Sequence, residues 1–203
     1  MKPPSDQHLS LWKQALGVLP DELWDRTELL SLVLADNDLS AVSERIGRMR
    51  NLRMLDLGHN KLAHLPEALG NLEGLTDFLY LHDNRLTSLP DSFRALQRLR
   101  YLNISENKFE ILPEAVLGMS GLIELRVTDN QLTALPGSID RLVNLRELHL
   151  RNNRLTSLPE TVGSLNALRQ LDLRGNPLVD LPESLAKLPR LEKLDLRWVT
   201  TLV

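Results

Sequence analysis

Apolar residues return along this chain on a fixed count. In Leu52 to Asn60, LRMLDLGHN, leucines stand first, fourth and sixth, and an asparagine closes the run. Closing asparagines recur at Asn37, Asn60, Asn84, Asn107, Asn130, Asn153 and Asn176, at steps of 23, 24, 23, 23, 23 and 23 residues. Five residues before each stands a leucine, from Leu32 to Leu171; three before stands Leu34, Leu57, Leu81, Ile104, Val127, Leu150 or Leu173. One period past Asn176 falls Val199, with Leu194 and Leu196 at the matching apolar positions. A Leu-Pro step follows at Pro66, Pro90, Pro113, Pro136, Pro159 and Pro182. Earlier, Ser43 takes the proline's place, and Leu19-Pro20 opens an upstream half-unit.

Apolar residues spaced by two predict a short strand whose leucines point inward. The asparagine suits a tight turn, and its amide can hydrogen-bond to the backbone beside it. Stacked from unit to unit, these amides predict a ladder that satisfies backbone groups where the chain leaves each strand. The stretch after the proline, as in Pro66-Glu67-Ala68-Leu69-Gly70-Asn71-Leu72, has threefold spacing and predicts a short helical turn or an extended arc. No unit alone can bury its leucines, so the units must stack. The expected architecture is a right-handed α/β solenoid of about eight coils, with parallel strands on the concave face.

The consensus LxxLxLxxNxLxxLPxxLxxLxx resembles that of the leucine-rich repeat family. It is most similar to the intracellular 23-residue class found in Ras-suppressor-type proteins and in many bacterial proteins. The resemblance runs over residues 27–198 and implies a curved solenoid whose concave face binds another protein. Extracellular members of the family usually close their ends with disulfides. A chain without cysteine therefore fits a cytoplasmic setting, and a bacterial source is expected.

The chain divides into a cap with a half-unit at 1–26, the repeats at 27–198, and an end at 199–203 where the pattern fades. Ser5 reads as a helix N-cap, and Leu9, Trp12 and Leu16 fall on one helical face, so a short capping helix is expected over the first unit. Trp12 and Trp24 are expected to pack in that cap, and Trp198 to cover the last coil. The apolar C-terminal end is a clipped coil or an edge that pairs with a second copy.

One unit breaks the count. Leu75 to Asn84, LTDFLYLHDN, runs ten residues where its neighbours run nine. Leu75 is in register with Pro66, and Leu79 and Leu81 with Asn84, so the extra residue is absorbed among Thr76, Asp77 and Phe78. A bulge before Leu79 that re-aims side chains is one solution. A change of curvature alone, with Phe78 tucked into the core, is the other.

Composition narrows the function. A net charge of −3 over 203 residues argues against a nucleic-acid or anionic-membrane binder. No run of about 18 apolar residues is present to span a membrane. Trp12 and Lys13 interrupt what a signal peptide would need, so the N-terminus is expected to be retained. The absence of cysteine excludes disulfides, thiolate nucleophiles and cysteine-ligated zinc. There is no H-E-x-x-H pair, phosphate loop or serine elbow, so no enzyme, cofactor or metal is expected. His59, His82 and Asp83 have the makings of a base–carboxylate pair or metal site and are read as polar surface. The sequon Asn103-Ile104-Ser105 lies within an expected strand and is read as chance.

Residues flanking the inward leucines face solvent. The candidate partner-binding residues are Tyr80, His82, Tyr101 and Asn103 in the middle strands, then Arg126, His149, Arg151, Asp172, Arg174, Asp195 and Arg197 toward the C-terminal end. Tyrosine and arginine concentrate binding energy at interfaces. They suggest a groove with a Tyr/His anchor and an arginine clamp for a partner's carboxylates. A plainer alternative pairs the arginines with aspartates about 4.8 Å away across adjacent strands. The expected role is a non-catalytic protein-binding module, monomeric unless its C-terminal edge self-associates. The alternative is the recognition part of a larger effector or signalling enzyme.

Overall fold

The computed structural model describes residues 7–201. Nine three-residue strands form one parallel sheet in sequence order. They are β1 (His8–Ser10), β2 (Ser31–Val33), β3 (Met54–Asp56), β4 (Phe78–Tyr80), β5 (Tyr101–Asn103), β6 (Glu124–Arg126), β7 (Glu147–His149), β8 (Gln170–Asp172) and β9 (Lys193–Asp195). Register advances one period per strand: Leu32 pairs with Leu55, Leu55 with Leu79 and Leu79 with Leu102. Like residues therefore lie beside like, and each sequence column becomes a file across a right-handed solenoid. No helix among the described residues is long and apolar enough to cross a membrane.

The return segments are 3-10 helices, not extended arcs. Most begin directly after the Leu-Pro step, as at Glu67–Asn71 and Glu183–Lys187. Pro66 (φ −71°, ψ 145°) holds the residue before the helix extended, and proline has no N–H to leave unsatisfied there. Where Ser43 replaces the proline, its hydroxyl accepts from the Arg45 N–H at 3.2 Å and caps Glu44–Arg48.

The leucine files between sheet and helices make one continuous core, from Leu23 and Trp24 to Leu188. Nearly all of it is aliphatic. Phe93 and Phe109 take leucine positions and are completely buried. At the C-terminal side the cover thins: Leu194 is 37% exposed, and Trp198, at 65%, does not shield the last coil.

The asparagine file is a hydrogen-bond ladder. The Asn107 amide NH2 donates across to the Leu81 carbonyl (3.0 Å) and, within its own coil, to those of Ile104 and Ser105. Its Oδ1 accepts from the Leu86 N–H of the preceding coil at 2.9 Å. Asn130, Asn153 and Asn176 repeat the arrangement. Just before each ladder position the backbone turns left-handed. Asp36, His59, Asp83, Glu106, Asp129, Asn152, Gly175 and Trp198 all have φ between 49° and 67°.

Among the described residues the expected N-terminal helix is absent. Ser5 lies outside the described residues, and Leu9 stands in β1, paired with Leu32. Lys13, Ala15 and Gly17 have positive φ, which no right-handed helix accommodates. The reason is a further, degenerate unit. Counting 23 back from Leu32, Leu34 and Asn37 lands on Leu9, Leu11 and Gln14. The Gln14 N–H bonds to Asn37 Oδ1 at 3.0 Å, so the ladder reaches this coil too. An edge of unpaired N–H and C=O groups on β2 favours a strand there over a helix. Trp24 is buried as cap packing, whereas Trp12 is 56% exposed.

The extra residue of the third full unit is absorbed just before β4. At seven of the eight junctions between strands, one carbonyl accepts from two successive N–H groups, as Leu30 does from Arg53 and Met54. At the eighth, Arg100 donates to the Thr76 carbonyl and Tyr101 to that of Asp77. The insertion thus supplies one carbonyl per donor, and Leu79 and Leu81 stay fully buried in register. Phe78 is not in the core. It is 44% exposed on the outer face of the sheet.

Candidate functional site

Three outward residues per strand, at six, four and two before the ladder position, tile the exposed face of the sheet. They sort into three neighbourhoods.

The first, on β3 to β5, is aromatic. Phe78 and Tyr80 stack nearly parallel with centroids 5.9 Å apart, and Tyr101 leans on both at 5.5 and 5.1 Å. Burial pushes the Tyr101 hydroxyl up to about 12, and burial together with the Asp56 and Glu124 charges raises Tyr80. The file continues into His82 and His59, whose rings meet edge-on at 4.6 Å. His59 Nδ1 contacts Asp83 Oδ2 at 2.7 Å, and its Nε2 lies 3.2 Å from His82 Nε2. Both contacts are satisfied when His59 donates to Asp83 and His82 donates to His59. His82 Nδ1 is then a buried acceptor without a partner. Burial, reinforced by His59, lowers the His82 pKa and keeps the ring neutral.

The second, on β6 and β7, juxtaposes charges. Glu124 and Glu147 are register partners, as are Arg126 and His149. Arg126 Nε holds Glu124 at 2.5 Å, while His149 Nε2 is 3.2 Å from Glu147 and 3.8 Å from Glu124. Glu124, Glu147 and His149 each offer a ligand atom within 4.8 Å of the others, so these residues could hold a metal ion. Arg126 and His149 already answer the two carboxylates without one.

The third, on β7 to β9, surrounds a cavity of about 270 Å³ that includes Arg126, Arg151, Arg174 and Lys193. Its arginines are engaged within the chain. Arg174 grips Asp172 through two nitrogens, at 2.8 and 2.6 Å, and reaches Asp195 at 3.5 Å. Arg197 grips Asp195 and Arg151 meets Asp129. Hydrogen bonding from the Arg197 side chain holds Asp195 down at about 2. Burial works to raise Asp172, but the Arg174 side-chain and backbone hydrogen bonds outweigh it and lower its pKa. The arginine file is a braced lattice, not a set of free donors. Lys193 alone among the cations lining this cavity has no carboxylate partner among the described residues.

The eleven candidate residues are thus split. Tyr80, His82 and Tyr101 share the aromatic patch, Arg126 and His149 the charged block, and Arg151, Asp172, Arg174, Asp195 and Arg197 the lattice. Asn103 is turned to its own strand end, its Oδ1 accepting from the Ser105 N–H at 3.0 Å. Sequence reasoning missed Phe78, Glu124, Glu147 and Lys193, all six before their ladder positions. A strict period of two from the inward leucines places that column outward, and only Tyr101 was taken from it.

Short parallel strands, 3-10 returns and an asparagine ladder define a repeat solenoid, the architecture of a recognition surface. The chain belongs to the leucine-rich repeat family, whose sequence pattern matches residues 27–86, 76–132, 110–155 and 143–198. It is 36% identical over 94 residues to the volume-regulated anion channel subunit LRRC8A of Rattus norvegicus, covering 45% of this chain and 12% of that protein. It is 31% identical over 92 residues to fibromodulin of Sus scrofa, covering 45% of this chain and 60% of that protein. The chain therefore spans less than two thirds of either relative. Among solved structures, the plant peptide hormone receptor RGFR1 in complex with RGF2 superimposes with a TM-score of 0.81 at 33% identity, over 93% of this chain and 32% of the receptor. A leucine-rich repeat protein of Leptospira interrogans gives 0.74 at 27% identity, over 94% and 60%.

Proposed function

We propose that this chain is a non-catalytic protein-recognition module that holds its partner on the outer, concave face of the sheet, centred on β4 and β5. One observation carries the reading. Phe78, Tyr80 and Tyr101 present partly exposed rings in mid-face, while the charged groups on the C-terminal side are largely paired with one another. Aromatic area surrounded by satisfied polar groups is the composition of an interface hot spot. The plant receptor structure, which contains a bound peptide hormone, supports the same use of the fold. A zero cysteine count supports placing the module in the cytoplasm.

The test is affinity capture from source cells with wild type and a Tyr80→Ala, Tyr101→Ala double variant. A specific partner retained by wild type and lost by the variant is expected. Equal recovery of every specific partner overturns the assignment of the face.

A second reading is supported by the 12% coverage of the channel subunit: the chain serves as the recognition part of a larger protein. It is separated by whether the natural reading frame extends beyond Val203. Self-association through β9, favoured by the exposure of Leu194, predicts a mass that grows with concentration in light scattering.

A further inference from the structure

The insertion before β4 borders a cavity. At the leading edge of the sheet, beside the point where Arg100 and Tyr101 find separate carbonyls, lies a space of about 350 Å³. It is lined by Asp77, Phe78, Arg100, Tyr101, Ile123 and Glu124. Two of its three charged types are already answered. Asp77 pairs with Arg53 at 3.1 Å, and Glu124 with Arg126. Arg100 is exposed and has no carboxylate partner among the described residues. Its neighbours in the same column explain why: Asp77 is taken by Arg53, and Ile123 is apolar. Farther along that column the same position is filled, with Arg169 on Glu192 at 2.7 Å. The cavity therefore has apolar walls from Phe78, Tyr101 and Ile123, two neutralised carboxylates, and one free cation at its rim.

We propose that this cavity is the anchor pocket of the binding face, taking a large apolar side chain of a partner polypeptide that carries a carboxylate beside it. The inference rests on the protein-recognition reading above and names the partner's chemistry at that site. Phe78 and Tyr101 supply rigid ring area at low entropic cost, and Ile123 closes the far wall. A basic partner segment gains nothing here, because the carboxylates in reach already hold arginines. An acidic one finds Arg100. Phe78 stands in the outward column that Met54 and Tyr101 share, and the insertion ahead of it leaves the core leucines in their places. Deleting Thr76 restores the common count, since Leu75-Asp77-Phe78-Leu79 then matches Leu52-Arg53-Met54-Leu55.

The experiment is an NMR titration of the full chain, read at the Ile123 methyls, with acetyl-Gly-Asp-Phe-Asp-Gly-amide. Companion peptides replace the phenylalanine by alanine, or both aspartates by asparagine. Saturable shifts are expected with the first peptide, about tenfold weaker binding for the alanine peptide, and about threefold weaker for the asparagine peptide. Arg100→Gln is expected to abolish the preference for aspartate over asparagine. Phe78→Ala is expected to weaken binding about tenfold while thermal unfolding stays cooperative. No Ile123 shift with the first peptide, or equal binding of the alanine or asparagine peptide, overturns the proposal. The outcomes also separate the two readings. Partner capture lost in Tyr80→Ala, Tyr101→Ala but untouched by Ile123→Asp removes the pocket and keeps the face. Capture indifferent to both variants removes the face itself.

Discussion

The imidazole of His82 lies directly over Gly58, so close that a Cβ on the glycine would fall inside contact distance of three ring atoms. Gly58 follows Asp56, whose carboxylate accepts from the Gly58 N–H at 2.9 Å, and it sits two before its ladder asparagine. The missing side chain is therefore the floor on which the histidine pair rests. Gly58→Ala is expected to cost about 1 kcal/mol by displacing the ring. In a His82→Ala background the same change is expected to be close to neutral. Chemical denaturation of the four variants in a double-mutant cycle checks this, and additive effects would refute it.

Acid is expected to destabilise the fold in two windows. His82 has its pKa lowered from 6.5 by burial first and by His59 second, so the folded state prefers the neutral ring. Its contribution is present above the unfolded pKa and is lost as pH falls through the lower folded value. The thermal midpoint should drop between pH 7.5 and 5, and drop less in His82→Gln. Asp172 and Asp195 have lowered pKa values, so their contribution is present above the ordinary carboxylate range and lost below it, down to about 2 for Asp195. Asp195→Asn should flatten that second loss and lower the midpoint at neutral pH, where Arg197 and Arg174 lose their shared acceptor.

Left-handed backbone before the ladder suits glycine, asparagine and aspartate, and costs other residues about 1 kcal/mol. Glu106, at φ 54°, is the misfit in mid-array. Glu106→Asn is expected to stabilise by about 0.5–1 kcal/mol, whereas Gly175→Ala, at φ 67° with Asn152 Oδ1 against the new methyl, is expected to destabilise by at least as much. Urea midpoints measured side by side decide it. A neutral or destabilising Glu106→Asn would refute the assignment of strain.

Asn130 is expected to be far less replaceable than its size suggests. Asn130→Ala leaves the buried Phe109 N–H without a partner and takes one of two amide donors from the Ile104 carbonyl, which Asn107 also serves. The cost should be about 2 kcal/mol, from the one buried N–H left unsatisfied. Amide exchange should quicken at Phe109 and at the β5–β6 junction before it does at Leu32. Uniform acceleration along the chain would count against a local ladder.

Most of the fold was legible because it repeats. A leucine that returns every 23 residues can be buried only by its own copies, so period and burial are one observation. The N-terminal coil escaped because Leu9, Trp12 and Leu16 also satisfy a helical spacing, and so short a stretch cannot separate the two periods. The unit is visible only by counting back to Gln14, a glutamine where asparagine is the rule. The candidate site was legible as columns but not as chemistry. Whether Arg174 is a free donor or is held by Asp172 depends on a rotamer, and both residues are correctly placed outward in either case. Phe78 was undecided for a related reason: the added residue hid that it stands one before inward Leu79, in the same outward column as Met54 and Tyr101.

Those carbonyls have a wider implication. Along the leading edge of the sheet the donors outnumber the acceptors, since one oxygen serves two N–H groups at seven junctions. A coil that gains a residue there relieves the shortage, as Thr76 and Asp77 do for Arg100 and Tyr101. Lengthening at this place thus brings its own compensation, and the adjoining coils need not adjust. Variation in repeat length should therefore collect at the start of the strands, beside the exposed face of the sheet, where an added residue leaves the stack beneath it as it was.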